Sequence, residues 1–324
     1  MFNSEKYISE VQVFSQTNKK NSEVINIALA FDNNYAMPAG VTISSVICNN
    51  PDVCLCFHLF VNTISPDNIE RFKRLVSDTC CIKIYYLNDN FQINSETLVL
   101  NYLSIMSCVR FIIPDILKEQ TKQFIYMDSD ILCLKSMNTL FHIDLANNIA
   151  GVVSDDSVMK NAIKDLYSIN SDKYFNAGVL VINTQLWAIN NLTEKCMKMI
   201  NDGNIYRFAD QDVLNILLEN KTTLLPIKYN TKIHISVSCK EEQLIAPYTV
   251  LLHYVTGYKP WYQTFDSNLF KKYFNLSPWR DTKRPLALKR SWLRHFAKYN
   301  FKKGKIATAL KFYYLYLTKK KFLI

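Results

Sequence analysis

Short apolar runs, each separated from the next by a stretch with helical spacing, leave this chain few ways to fold. Asn26–Phe31 (NIALAF), Val53–Val61, Ile82–Leu87 and Phe124–Met127 read as buried strands. Between the first two, Pro38–Cys48 places Val41, Ser44, Ser45 and Cys48 along one side of a helix. Ser65 is positioned to N-cap a second helix, with the Asp67 and Glu70 carboxylates in its first turn. A third is expected around Ile105–Ile112. Strands alternating with helices imply parallel βαβ units in one sheet, an α/β architecture. In such sheets ligands bind beyond the carboxyl ends of the strands. Phe31 and Met127 each lead directly into an acidic loop, as that rule requires.

The chain has 324 residues and is 49% hydrophobic, enough to bury a sizeable core in one large domain or two smaller ones. Its net charge of +10 is unevenly placed. Thirteen of the 38 Lys and Arg, and none of the 28 Asp and Glu, lie from Lys283 onward, so the body is slightly acidic and the excess sits in the tail. A basic tail on a near-neutral body points to an anionic surface, membrane or nucleic acid. No stretch approaches the roughly 20 apolar residues that span a bilayer, and the N-terminus lacks the basic head and apolar core of a signal peptide. Nine Cys with no CxxC pair read as buried free thiols in a reducing cytosol rather than as a zinc site.

Five polar clusters follow strands or open helices. Asp128-Ser129-Asp130 comes straight after the apolar FIYM. Two carboxylates separated by one residue share a side of an extended turn, where their hard oxygens can hold one divalent cation. A D-x-D tripeptide alone is most often a solvated turn; its place after a wholly apolar strand is what favours metal. Phe175-Asn176-Ala177-Gly178 precedes the strand VLVIN; Gly permits close backbone approach, and Asn offers both donor and acceptor. Asp210-Gln211-Asp212 heads the helix VLNILL, where a cap is the ordinary role. His253 follows TVLL and precedes Lys259 by six residues, an arrangement able to give a metal a nitrogen and a phosphate a cation. Asp32-Asn33-Asn34-Tyr35 follows the first strand and, alone, would be an ordinary turn. Together the five imply one cleft with metal-, phosphate- and polar-ligand groups.

The order DNNY, DSD, FNAG, DQD and HYVTGYKPW resembles glycosyltransferase family 8, and more narrowly the bacterial lipopolysaccharide hexosyltransferases that add glucose or galactose to the outer core. The similarity runs from about Asn26 to about Arg290 and includes Leu192–Leu218 and the SPWRD segment near residue 280. It implies a GT-A fold, a Rossmann-like, mixed and mostly parallel sheet flanked by helices, with a basic helical C-terminal extension. It further implies that Asp128 and Asp130 hold Mn²⁺ or Mg²⁺ with His253 as third ligand, and that Ser129 and Lys259 contact the donor, Lys259 at the diphosphate. Ala30, Asp32, Asn34 and Tyr35 would hold uridine, Tyr35 stacking on uracil, and Arg110 would be a further donor contact. Asp155, Asn176, Ala177, Gly178, Asp210 and Gln211 would surround the transferred sugar, with Asp155, Asp210 and Gln211 nearest the chemistry. One departure stands out: the family has Gly three residues after the His, whereas this chain has Thr256 there and Gly257, the expected donor contact, one later.

The resemblance implies a retaining transfer of glucose or galactose from a UDP-sugar to the lipopolysaccharide core. Gln211 occupies the place of a possible nucleophile, but an amide oxygen is a poor one, and same-face attack through a short-lived ion pair is the favoured expectation. The motifs say little of the acceptor, so a capsule precursor, a protein or a free saccharide stays open, as does the choice of donor sugar. Three regions are expected: an irregular N-terminal arm (1–24), the catalytic domain (25–280) and a basic amphipathic tail (281–324). In the tail, Leu288, Trp292 and Phe296 form one apolar stripe, and Ile306, Leu310, Tyr313 and Leu317 another, among Lys289, Arg290, Arg294, Lys298, Lys302, Lys303 and Lys305. Such helices lie on anionic membrane surfaces, here the cytoplasmic face of the inner membrane. The competing expectation is a helical cap with a solvated basic face. Nucleic acid is not expected, because the tail aromatics fall on helical stripes and no nucleic-acid-binding motif is present.

Overall fold

The computed structural model describes residues 6–16, 23–93, 105–155, 173–286 and 289–318. The principal sheet contains β1 (Ile8–Phe14), β2 (Val24–Ala30), β3 (Cys54–Val61), β4 (Cys80–Leu87), β5 (Gln123–Met127), β7 (Ala150–Ser154), β8 (Phe175–Asn183) and β9 (Thr222–Leu224), in the order β1-β4-β3-β2-β5-β8-β7-β9. A second sheet joins β6 (Ile131–Cys133), β10 (Thr231–Ile233) and β11 (Leu251–Tyr254), with β11 in the centre.

The four strands expected from apolar runs are β2, β3, β4 and β5, and the run from β4 through β3 and β2 to β5 is parallel throughout. All eight residues of β3 are buried, which is why its sequence is a continuous apolar run rather than an alternation. Successive side chains feed two cores: Ile27 and Leu29 enter one layer and Ala28 the other. The strand VLVIN supplies the antiparallel part of the expected mixed sheet, since β8 pairs antiparallel with both β5 and β7. A strand buried on both faces carries no periodicity that encodes its neighbours' direction, so the sheet is mixed.

The expected N-terminal arm contains β1, which pairs antiparallel with β4 and closes one edge of the sheet. Its outward-facing residues meet water, and Ser9, Glu10 and Gln12 among its seven residues made it read as irregular. The helix expected at Pro38–Cys48 spans Ala36–Asn49 and is largely buried. Ser65 caps Pro66–Lys73 by accepting from Asn68 N at 3.3 Å. The segment expected as helix around Ile105–Ile112 is a 3-10 helix, Ile105–Phe111, followed by the short α-helix Ile113–Leu117. The SPWRD segment anchors Trp279, whose indole N–H donates to Asn68 Oδ1 at 2.9 Å.

The tail divides in two. Trp292 and Phe296, on helix Arg290–Lys302, are buried; the Trp292 ring lies 4.7 Å from Tyr258 and 5.6 Å from Phe265, so this helix caps the catalytic body. Helix Ile306–Thr318 folds back through Phe312, 4.7 Å from Phe296, but leaves Ile306, Leu310, Tyr313 and Leu317 exposed, with Leu310 at 65%. Leu288 lies outside the described residues. Among the described residues no helix is long and apolar enough to cross a membrane.

Candidate active site

β5 delivers the acidic pair to the carboxyl end of the sheet. Asp128 N donates to Gly178 O at 2.9 Å, and Tyr254 N donates to Asp130 O at 3.1 Å, so backbone bonds on both sides fix the turn. β11 runs antiparallel to β6, which brings His253 opposite Ile131 and turns its ring towards the carboxylates. Asp128, Asp130 and His253 each offer a ligand atom within 4.8 Å of the others. His253 Nε2 lies 3.2 Å from Asp130 Oδ1 and 3.9 Å from Asp128 Oδ2.

Asp130 Oδ1 is buried without a hydrogen-bond partner, a costly state for a carboxylate oxygen unless a cation completes it. Burial raises the Asp130 carboxyl pKa, but the ammonium of Lys259, 2.5 Å from Oδ2, holds it below the usual carboxylate range. An ionised, partly orphaned carboxylate beside a second carboxylate and an imidazole suits a hard divalent cation. The donor set therefore fits such a metal.

Arg110, from the 3-10 helix, is buried at the back of the cleft and clasps three groups. Its guanidinium contacts Asp128 Oδ1 at 2.8 Å, Asp210 Oδ2 at 3.1 Å and the Ala177 carbonyl. Tyr126 OH adds a 3.0 Å bond to Asp128 Oδ1. Burial pushes the Asp210 carboxyl upward against the pull of Arg110, and Ser107 Oγ donates to Asp210 Oδ1 at 2.6 Å. Asp210 is delivered by Ala209, which adopts φ 45°, a region L residues avoid, at the start of helix Asp210–Leu217. The helix has no side-chain N-cap; Asp212 reaches back instead, its Oδ2 accepting from Phe208 N at 2.8 Å.

Gln211 uses its whole amide. Its Oε1 accepts from Asn176 Nδ2 at 3.0 Å and Ala177 N at 3.1 Å, and its Nε2 donates to Asp155 Oδ2 at 3.1 Å and Tyr174 OH at 3.0 Å. Asp155 also pairs with Lys232 of β10. The close approach permitted by Gly178 is to His253: a Cβ there would fall on the imidazole, 2.7 Å from Nδ1.

Ala30, Asp32, Tyr35, Arg110, Asp128, Ser129, Asp130, Asp155, Asn176, Ala177, Gly178, Asp210, Gln211, His253 and Lys259 all line one cleft. Asn34 and Gly257 are not among its lining residues. Asn34 N instead caps onto Asp32 Oδ1 at 2.9 Å, and a Cβ at Gly257 would meet open space. Thr256 lines the cleft and has φ 74°, a left-handed conformation that favours glycine. Sequence reasoning missed Ser107, Phe208, Lys232 and His234, which also line the cleft. Lys232 and His234 belong to a segment whose single clue was its mixture of basic residues with strand-forming ones.

A mostly parallel Rossmann-like sheet with paired carboxylates and a histidine converging at its carboxyl end describes a glycosyltransferase of the GT-A fold. The chain belongs to glycosyl transferase family 8, whose family model matches residues 26–264. It is 28% identical to the lipopolysaccharide 1,3-galactosyltransferase of Salmonella typhimurium, over 98% of this chain and 97% of that one. It is 27% identical to the lipopolysaccharide glucosyltransferase WaaO of Escherichia coli, over 98% of each. In fold it matches the galactosyltransferase LgtC, solved in complex with donor and acceptor sugar analogues, with a TM-score of 0.62 and 22% identity, covering 81% of this chain and 98% of that one.

Proposed function

We propose that this chain transfers glucose or galactose from a UDP-sugar to the core oligosaccharide of lipopolysaccharide, with retention at the anomeric carbon, using Mn²⁺ or Mg²⁺. The observation that carries the reading is the ligand set Asp128, Asp130 and His253 around a buried, unpartnered carboxylate oxygen. The lipopolysaccharide-directed relatives, matched over nearly their whole lengths, support the acceptor class.

A bound divalent cation supplies Lewis-acid stabilisation of the leaving diphosphate. Lys259, beside the ligand set, contributes a second positive charge to that diphosphate. Asp32 and Tyr35, after β2, receive the uridine. Asp155, Asp210 and Gln211 face the transferred sugar, and the two carboxylates favour positive charge developing at its anomeric carbon. Two N–H donors already engage Gln211 Oε1, so at least one of these bonds would have to break for that oxygen to act as a nucleophile. Gln211 therefore positions the sugar, and the departing phosphate accepts the acceptor's proton in a same-face attack. The exposed stripe of helix Ile306–Thr318 and the surrounding lysines support docking on an anionic membrane surface, the cytoplasmic face of the inner membrane.

Purified protein incubated with Mn²⁺ and either UDP-glucose or UDP-galactose, with and without truncated lipopolysaccharide, tests donor and acceptor together. UDP release from one donor, stimulated by the lipopolysaccharide and abolished by chelation or by Asp128→Ala, is the expected result. Release from neither donor overturns the reading.

A further inference from the structure

Asn230 is fully buried, 0% exposed, at the point where the chain leaves the 3-10 helix Ile227–Tyr229 and enters β10. β10 is the parallel neighbour of β11, the strand that carries His253. Four side chains form a continuous hydrogen-bonded line from the sugar side of the cleft to the metal ligands. Gln211 Oε1 meets Asn176 Nδ2 at 3.0 Å, Asn176 Oδ1 meets Asn230 Nδ2 at 2.8 Å, and Asn230 Oδ1 meets His253 Nδ1 at 3.0 Å.

The direction of every link follows from two backbone N–H groups, which can only donate. Ala177 N points at Gln211 Oε1 at 3.1 Å, so that atom is the amide oxygen and the Asn176 atom facing it is the NH₂. Gly178 N points at Asn176 Oδ1 at 3.0 Å and fixes the same amide from its other end. Asn230 must then donate to Asn176, which leaves its oxygen towards His253. An oxygen there requires a proton on His253 Nδ1. In the neutral ring Nε2 is consequently a bare lone pair aimed at Asp128 and Asp130, where three acceptors converge with no proton between them.

We infer that Asn230 is a positioning residue: it sets the tautomer of His253 so that Nε2 is free for a divalent cation, and through Asn176 it ties that ligand to the sugar-facing Gln211. This rests on the proposed metal site. Partners of ligating histidines that fix ring and tautomer are worth about 10–100-fold in metal affinity.

Two measurements on the full chain test it separately. Long-range ¹H–¹⁵N spectra of the metal-free wild-type protein, taken at a pH where the ring is neutral, read the tautomer directly: a proton on His253 Nδ1 is expected, and a neutral ring carrying its proton on Nε2 instead overturns the inference whatever the metal does. Mn²⁺ titration followed by electron paramagnetic resonance then compares variants. Asn230→Ala should bind Mn²⁺ about 10–100-fold more weakly. Asn230→Asp keeps an acceptor for His253 but sets a carboxylate against Asn176 Oδ1. It should retain Mn²⁺ affinity near wild type while raising KM for the donor. Wild-type Mn²⁺ affinity in Asn230→Ala, or equal loss in both variants, overturns the inference. Failure of the wild-type protein to bind Mn²⁺ sinks the metal site itself and leaves the tautomer measurement standing.

Discussion

Gly178 has no room for a methyl group, because the His253 imidazole occupies the space a Cβ would take. The backbone there cannot retreat easily, since Gly178 O holds Asp128 N at 2.9 Å. Gly178→Ala should therefore rotate the ring away from Asn230 and the two carboxylates, and weaken Mn²⁺ binding by about tenfold or more; a Mn²⁺ titration with unchanged affinity would refute this. Thr256 shows the opposite case. A β-branched residue at φ 74° carries left-handed strain of about 1–2 kcal/mol, whereas glycine costs about 0.5–1 kcal/mol in unfolded-state freedom. Strain wins narrowly, so Thr256→Gly should raise the unfolding free energy by about 0.5–1 kcal/mol in denaturant titration. A loss of stability would show that the threonine side chain makes up its strain elsewhere. Asp128, Asp130 and His253 stood out in the sequence because their motifs follow apolar runs, and the fold brings the three side chains together. Asn230 and Lys232 were not, because the first sits in an unremarkable KYNTK segment and the second acquires its carboxylate partner, Asp155, only across the fold.

Whole elements show the same division. The parallel strands β2 to β5 announced themselves as short apolar runs, β3 with every residue buried, while β1, largely exposed, did not. Burial also puts a histidine inside the sheet. His58 on β3 is fully buried, with Nδ1 3.0 Å from Tyr85 OH on β4 and Nε2 2.9 Å from Asn26 Oδ1 on β2. Desolvation, with Lys83 adding to it, pushes its pKa down to about 3. The unfolded chain titrates near 6.5, so between these values the unfolded state binds a proton that the folded state refuses. Stability must then fall as pH drops through that window, by about 1.4 kcal/mol per pH unit from this residue. Urea unfolding at about pH 6 and about pH 5 should show a shallower pH slope in His58→Gln than in wild type. Identical slopes would mean that the buried ring already carries its proton.

For the molecule as a whole, the tail is a cap first and a surface second. Trp292 seals Tyr258 and Phe265, so a deletion that removes helix Arg290–Lys302 would open the catalytic body. A chain ending at Gly304 keeps that helix and loses the exposed stripe. It should release UDP from the donor at wild-type rates, yet bind vesicles of anionic lipid at least tenfold more weakly, since each Lys or Arg near the surface contributes about 1 kcal/mol. Vesicle flotation unchanged by the truncation would refute membrane docking through this helix.

The metal ligands come from the turn after β5 and from β11, with well over a hundred residues of chain between them. At the proposed metal site a bound cation would act as a clasp between two stretches of chain that are distant in sequence. Such a clasp would make metal supply a contributor to how long the fold survives.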